Sequence, residues 1–216
     1  GLSGGTGNAK IELKPCEADN DKIYDGDGTS GAYIAFAQLE ESSYASSLML
    51  PTTEGSTTSR VGDAITNAGN QSLFSSVNSS GVLYAEIAAN SDDLTDRYIS
   101  ISDDTTDNYV DMYYSSASNR VSIRLYNEGV LQFITSTSFS DIRDFHKVAV
   151  RWAQDDFSFW ADGTERVIDT SGITPVGLST LKLTFPAGSS SAFYGKTKAV
   201  AVFDYLSDAE MVTLTT

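Results

Sequence analysis

Residue types able to do chemistry are scarce in this chain, apart from carboxylates. There is one cysteine, Cys16, and one histidine, His146. An intrachain disulfide and a cysteine-rich zinc site are therefore excluded, a His-rich metal centre lacks ligands, and a Cys/His nucleophile–base arrangement is barely available. No Gly-x-Ser-x-Gly nucleophile elbow occurs. Paired carboxylates would suit glycoside hydrolysis, which in its retaining form holds two of them about 5 Å apart. Along a strand, residues i and i+4 lie roughly 13 Å apart, so a close pair needs i, i+2 spacing or adjacent strands. Tyr84-Ala85-Glu86-Ile87-Ala88 offers one acid only, and Glu86 reads as a solvent-facing strand residue. His146, beside Lys147 at the start of a strand, could serve as a base, but its place near a loop favours a surface or structural role. The expectation is a protein that is not an enzyme.

Two acidic runs suit a different chemistry. Asp92-Asp93 with Asp96, and Asp103-Asp104 with Asp107, Asn108 and Asp111, concentrate hard oxygen ligands of the kind Ca²⁺ takes. Neither follows the EF-hand pattern of Gly at the sixth and Glu at the twelfth position. Asp and Asn are also ordinary turn formers, so two readings stand: turn chemistry, or calcium held by Asp103, Asp104 and Asp107.

Whatever these residues do, strands must position them. In 216 residues, Gly, Ser, Thr, Asn and Asp abound and there are only 4 prolines, the profile of short strands joined by polar turns. Strand-like runs recur at roughly ten-residue spacing: Val82–Ala89, Arg97–Ser102, Tyr109–Ser115, Arg120–Tyr126, Val130–Thr135, His146–Trp152, Phe157–Ala161, Glu165–Asp169, Leu181–Phe185 and Lys196–Phe203. Val121, Ile123 and Leu125 alternate with Arg120, Ser122, Arg124 and Tyr126; Val148, Val150 and Trp152 alternate with Lys147, Ala149 and Arg151. A half-buried antiparallel sheet has this period of two. Trp152 thus reads as core, whereas Trp160 lies on the opposite face from Phe157 and Phe159, with core and surface roles both open. Asp162-Gly163 suits a tight hairpin and Asn127-Glu128-Gly129 a slightly longer one. Ser207-Asp208-Ala209-Glu210 is a capping box opening a short helix from Asp208 to about Leu214. The predicted fold class is all-β, a two-sheet antiparallel sandwich with one short C-terminal helix.

If the runs from Tyr109 to Trp152 form one meander, their outward residues become neighbours: Asp111, Tyr113, Arg124, Tyr126, Gln132 and Arg151. Aromatic rings beside planar polar groups are what a sugar needs; the same residues could equally be acid–arginine pairs across strands. The formal charge of -15 repels phosphate polymers and anionic lipid, so neither nucleic acid nor membrane is an expected partner. No apolar run approaches the ~18 residues of a membrane span. The opening GLSGGTGN lacks the regions of a signal peptide and reads as a fragment boundary.

Two stretches carry a resemblance. Asp25-Gly26-Asp27-Gly28-Thr29-Ser30-Gly31-Ala32-Tyr33-Ile34, with Gln38-Leu39-Glu40 and Tyr44 to Thr52, resembles the closing strands of carbohydrate-binding-type jelly rolls found in phage tail and virion proteins. Ser47-Leu48-Met49 replaces the usual Ser-Tyr-Ile. Farther on come Gly81 to Ile87, Phe145 to Trp152, Phe157 to Gly163, Phe193-Tyr194-Gly195-Lys196 and Tyr205 to Glu210. Together they resemble the concanavalin A-like, laminin-G-type lectin/glucanase domain of phage and prophage tail proteins. The glucanases of that group carry a Glu-x-Asp-x-x-Glu strand, which this chain lacks. The resemblance implies residues 1–56 as the remnant of, or link to, a preceding sandwich and 57–216 as a jelly-roll lectin domain. It further implies a non-catalytic glycan- or receptor-binding role in a tail fibre or related appendage at the virion surface, other virion proteins as partners, and a homotrimer. A sandwich that makes only protein contacts, decorating or oligomerising, is the competing reading.

Overall fold

The computed structural model describes residues 38, 47–50, 53, 56, 65, 68–74, 76–187 and 191–216. The chain divides into two compact units, Gly1–Ser59 and Arg60–Thr216. In the first, the Gln38 side chain accepts a bond from the Met49 amide at 2.6 Å. The remaining sequence features of that unit, including the strand expected at Ala32–Leu39, lie outside the described residues.

The second unit carries ten strands among its described residues: β1 Ser80–Ala89, β2 Arg97–Ser102, β3 Tyr109–Tyr114, β4 Arg120–Asn127, β5 Val130–Ser138, β6 His146–Ala153, β7 Asp156–Ala161, β8 Thr164–Asp169, β9 Thr180–Lys182 and β10 Gly195–Phe203, followed by helix α1, Asp208–Thr215. Two antiparallel sheets stack face to face, in the orders β10-β1-β6-β7-β8 and β5-β4-β3-β2-β9. The expected sandwich is what this unit forms. Its core is the alternate residue of every strand: Leu83, Ala85 and Ile87 of β1, Val148, Val150 and Trp152 of β6, and Phe157 and Phe159 of β7 face Ile99, Ile101, Val110, Met112, Val121, Ile123, Leu125 and Phe133. Phe133 stacks on Phe157 at 5.8 Å and ties the two layers near one rim.

Turn chemistry fixes the register. At Asp162 and Gly163, φ is 47° and 71°; at Glu128 and Gly129 it is 50° and 75°. Both are two-residue hairpins with positive φ at each central position, the geometry that matches strand twist. The Asn127–Gly129 turn is thus tighter than expected, because Asn127 remains in the ladder with Val130. At α1 the Glu210 carboxylate accepts from the Ser207 amide at 2.8 Å, closing the capping box; bonds from Ser207 hold its carboxyl below the usual range.

Gly81 shows how little slack the core has. A Cβ built there would sit 2.7 Å from the Trp152 ring and 2.8 Å from Val77 Cβ. The same indole donates to the Val77 carbonyl at 2.8 Å, so it cannot swing away freely. Gly81→Ala is expected to cost about 2 kcal/mol by overpacking, read as a lower urea midpoint with an unchanged m-value; a neutral result would show that the Ser76–Asn78 turn gives way.

Candidate functional site

Tyr98, Asp111, Tyr113, Arg124 and Tyr126 share the outer face of the β5-β4-β3-β2-β9 sheet because each sits one residue out of phase with the core set. The register places Arg124 opposite Asp111 on β3 and opposite Ile134 on β5, Tyr113 opposite Tyr98 and Tyr126 opposite Tyr109. Arg124 donates to Asp111 through Nε at 3.3 Å and Nη2 at 2.7 Å, a two-point bond that holds the guanidinium flat. Asp111 has 0% exposure and the Arg124 side chain 19%. Around this pair stand two stacked ring pairs, Tyr98–Tyr113 at 4.7 Å and Tyr109–Tyr126 at 4.8 Å. The guanidinium carbon lies 4.6 Å from the Tyr113 ring and 5.8 Å from Phe185, within cation–π range.

Burial pushes the hydroxyls of Tyr98, Tyr109 and Tyr113 above the usual phenol range, so all three remain proton donors at neutral pH. Burial likewise lifts the Asp111 carboxyl, to about 6, against the lowering effect of Arg124. Burial opposes charge on Arg124 too, but hydrogen bonding to Asp111 outweighs it and raises the guanidinium further. On the β2 side Phe185 roofs the pair; on the β5 side the face stays open, with Leu131 42% and Ile134 58% exposed. The result is a fixed guanidinium and tyrosine hydroxyls bordered by apolar surface.

Four of the six expected binding residues, Asp111, Tyr113, Arg124 and Tyr126, therefore come together. Gln132 does not join them. A bulge between Leu125 and Tyr126 sets it out of the ladder, and its side-chain Oε1 accepts from the Ile173 amide at 3.0 Å. Arg151 is farther still, because β6 crosses to the opposite sheet instead of continuing the meander. There it binds the Leu206 carbonyl, Asp208 and Asp156 beneath α1. Sequence reasoning missed Tyr98, Tyr109, Phe185 and Ile134; the alternation around Ser100 could have flagged Tyr98.

The Asp103 carboxylate accepts from the Thr105 amide at 2.9 Å and from Asn108 at 2.9 Å, which is turn bracing. Asp104 pairs with Lys182. Asp107 contributes its backbone oxygen to the Gly129 amide at 2.9 Å. Among the described residues no group of three or more His, Cys, Asp or Glu side chains could hold a metal ion.

His146 bonds Asp162 at 2.7 Å and the Asp141 carbonyl at 3.0 Å, with its ring against Phe139; it buttresses two loops. Glu86 pairs across strands with Lys198 at 2.7 Å. Trp160 lies on the outer face, buried with Val82, Tyr84, Ala149 and Met211 beneath α1.

No protein-family model and no curated protein matches the chain. Solved structures do. The CBM40 of the Ruminococcus gnavus IT-sialidase, seen bound to α2,3-sialyllactose, is 16% identical with a TM-score of 0.54, covering 66% of this chain and 85% of that one. The binding domain of botulinum neurotoxin DC, in complex with rat synaptotagmin II, is 12% identical with a TM-score of 0.51, covering 67% and 37%. A heptameric SAP-like pentraxin from Limulus polyphemus is 12% identical with a TM-score of 0.50, covering 63% and 70%. At these identities the likeness establishes the fold, a two-sheet β-sandwich of jelly-roll type, and nothing about ligands.

Proposed function

We propose that the unit Arg60–Thr216 is a non-catalytic glycan-binding domain whose site is the outer face around Arg124, with Tyr113 and Tyr126 beside it. The observation that carries this is the flat guanidinium, fixed by Asp111 and opening onto exposed Ile134 and Leu131. Sugars offer apolar C–H faces and hydroxyls together, and this patch answers both. The carbohydrate-binding fold of the sialidase module supports the class of ligand. A setting in a phage tail fibre or related virion appendage rests on the sequence resemblance alone.

The preferred sugar is neutral. The charge of Arg124 is already balanced by a carboxylate that has no access to water, and the adjoining ends of the sheet carry Asp103, Asp104, Asp107 and Glu128. An acidic sugar would bring a second anion to one guanidinium, where like charges repel strongly at short range. Glycan-array binding of the full chain should favour neutral oligosaccharides over 3′-sialyllactose. Tyr113→Phe with Tyr126→Phe keeps both ring stacks but removes two hydroxyls; loss of two hydrogen bonds to the sugar predicts roughly 10-fold weaker binding, with a Tm lowered by only a few degrees as the bonds to Ser122 and Tyr109 go. An array with no bound sugar at high protein concentration overturns the glycan reading, and a preference for sialyllactose overturns the neutral one.

A further inference from the structure

The sheet edges of this unit are not alike. β8 carries Glu165, Arg166 and Asp169, β10 carries Lys196 and Lys198, and β9 is three residues long. Charge and brevity are the usual protection of an edge strand. β5 has neither: Val130–Ser138 is nine residues with no charged side chain and no proline. It pairs only with β4 among the described residues, and Ile134 and Leu131 stand exposed on it. Its one irregularity is the bulge at Gln132, whose side-chain oxygen accepts from the Ile173 amide.

From this edge we infer that β5 pairs antiparallel with β5 of a second copy of the chain, about a two-fold axis close to Ile134–Thr135, joining the two sheets into one of ten strands. Charge selects this partner. In a chain of formal charge -15, an uncharged strand brings no like charges together when it meets itself. The two-fold also brings the Ser138 end of each copy to the Val130 end of the other. Arg120 lies beside Ser138 in the β4–β5 register, and Glu128 sits in the turn before Val130. Both are exposed and neither has an ion-pair partner among the described residues. At each end of the junction an arginine of one copy meets a glutamate of the other. The two Ile134 side chains come together at the centre, as cross-strand neighbours do. Because Arg124 is in register with Ile134, the two Arg124 faces end up three strand spacings apart, about 15 Å laterally. They lie on the same side of the joined sheet, close enough for one polysaccharide to span both.

A single strand junction is a small interface, so a dimer dissociating in the micromolar range is expected. Sedimentation of the full chain in sugar-free buffer from about 1 to 200 µM should show monomer passing to dimer across that range. Ile134→Lys puts two ammonium groups at the axis and should weaken the dimer at least ~10-fold; Arg120→Glu should weaken it by like charge at both ends. Adding Glu128→Arg to Arg120→Glu restores opposite signs and should restore the dimer. All three sites are exposed, and an unchanged thermal melt confirms that each variant folds. A monomer at every concentration, a trimer, or a dimer indifferent to either substitution overturns the inference. The readout contains no sugar, so it stands or falls independently of the glycan reading.

Discussion

Arg151→Met is expected to destabilise the Arg60–Thr216 unit by about 3 kcal/mol, or roughly 6–12 °C in Tm for a domain of this size. Arg151 is 4% exposed, and its guanidinium is the joint between the β10-β1-β6-β7-β8 sheet and α1. Nη1 donates to the Leu206 carbonyl at 3.1 Å and to Asp208 at 2.5 Å, and Nη2 donates to Asp156 at 3.3 Å. The Tyr205 ring lies 5.0 Å from the guanidinium carbon, and its hydroxyl donates to Asp156 at 2.9 Å. Removing the cation strands the Leu206 carbonyl and leaves Asp156, Asp208 and Glu165 to repel one another. Glu165 already has its carboxyl raised, first by burial and then by the charges of Asp208 and Asp156.

The ion pair with Asp208 is not the main source of that energy. The Asp208 side chain is 69% exposed, and water screens such a pair to under about 1 kcal/mol. Asp208→Asn should therefore cost far less than Arg151→Met, and the contrast separates the buried bonds from surface charge. Trp160 provides a local signal. It packs with Met211 in the cluster covered by α1, so lifting the helix should red-shift its fluorescence in Arg151→Met below the global melt. Equal losses in the two variants, or a cooperative melt with no early shift, would show that apolar packing alone holds α1.

The fate of Arg151 shows which parts of the molecule were legible in the sequence. Period-two alternation told correctly that Arg151 faces away from Val150 and Trp152, and that Arg124 faces away from Ile123 and Leu125. That pattern is local to a strand and silent about which sheet the strand joins. The connection from Ser138 to His146 could return β6 to the same sheet or carry it across, and both choices leave the alternation intact. Carrying it across separated Arg151 from Arg124. A bulge made another misreading: at Gln132 it removed a residue that simple counting had put on the Arg124 face. The strand expected at Leu181–Phe185 ends at Lys182, where the chain leaves the sheet to lay Phe185 over Arg124. Its apolar residues serve a second, outer cluster that a strand pattern imitates.

The pairing of Arg124 with Asp111 should reveal itself through pH. Because burial lifts the Asp111 carboxyl to about 6, above the ~3.9 of an unfolded chain, the folded state binds the proton more readily between those values. Lowering the pH through that window stabilises the fold by this group's share. Asp93, Asp141, Asp155 and Glu210 have their carboxyls held below the usual range, so their contributions are lost only on further acidification. Asp111→Asn removes the titration. Between pH 7 and pH 5, wild type should therefore gain roughly 1 kcal/mol relative to Asp111→Asn in chemical unfolding. A difference independent of pH would mean that Asp111 does not titrate in the window. A slope of opposite sign would mean that Arg124 holds the carboxyl down.

The same substitution reaches the ligand. With asparagine at position 111 the guanidinium keeps its charge at every pH but loses the anion that balances it, so discrimination against 3′-sialyllactose should relax at pH 7. In wild type, discrimination should relax only as Asp111 takes up its proton near pH 6. If both proteins refuse the acidic sugar equally at both pH values, selection against anions comes from the wider acidic surface and not from this pair.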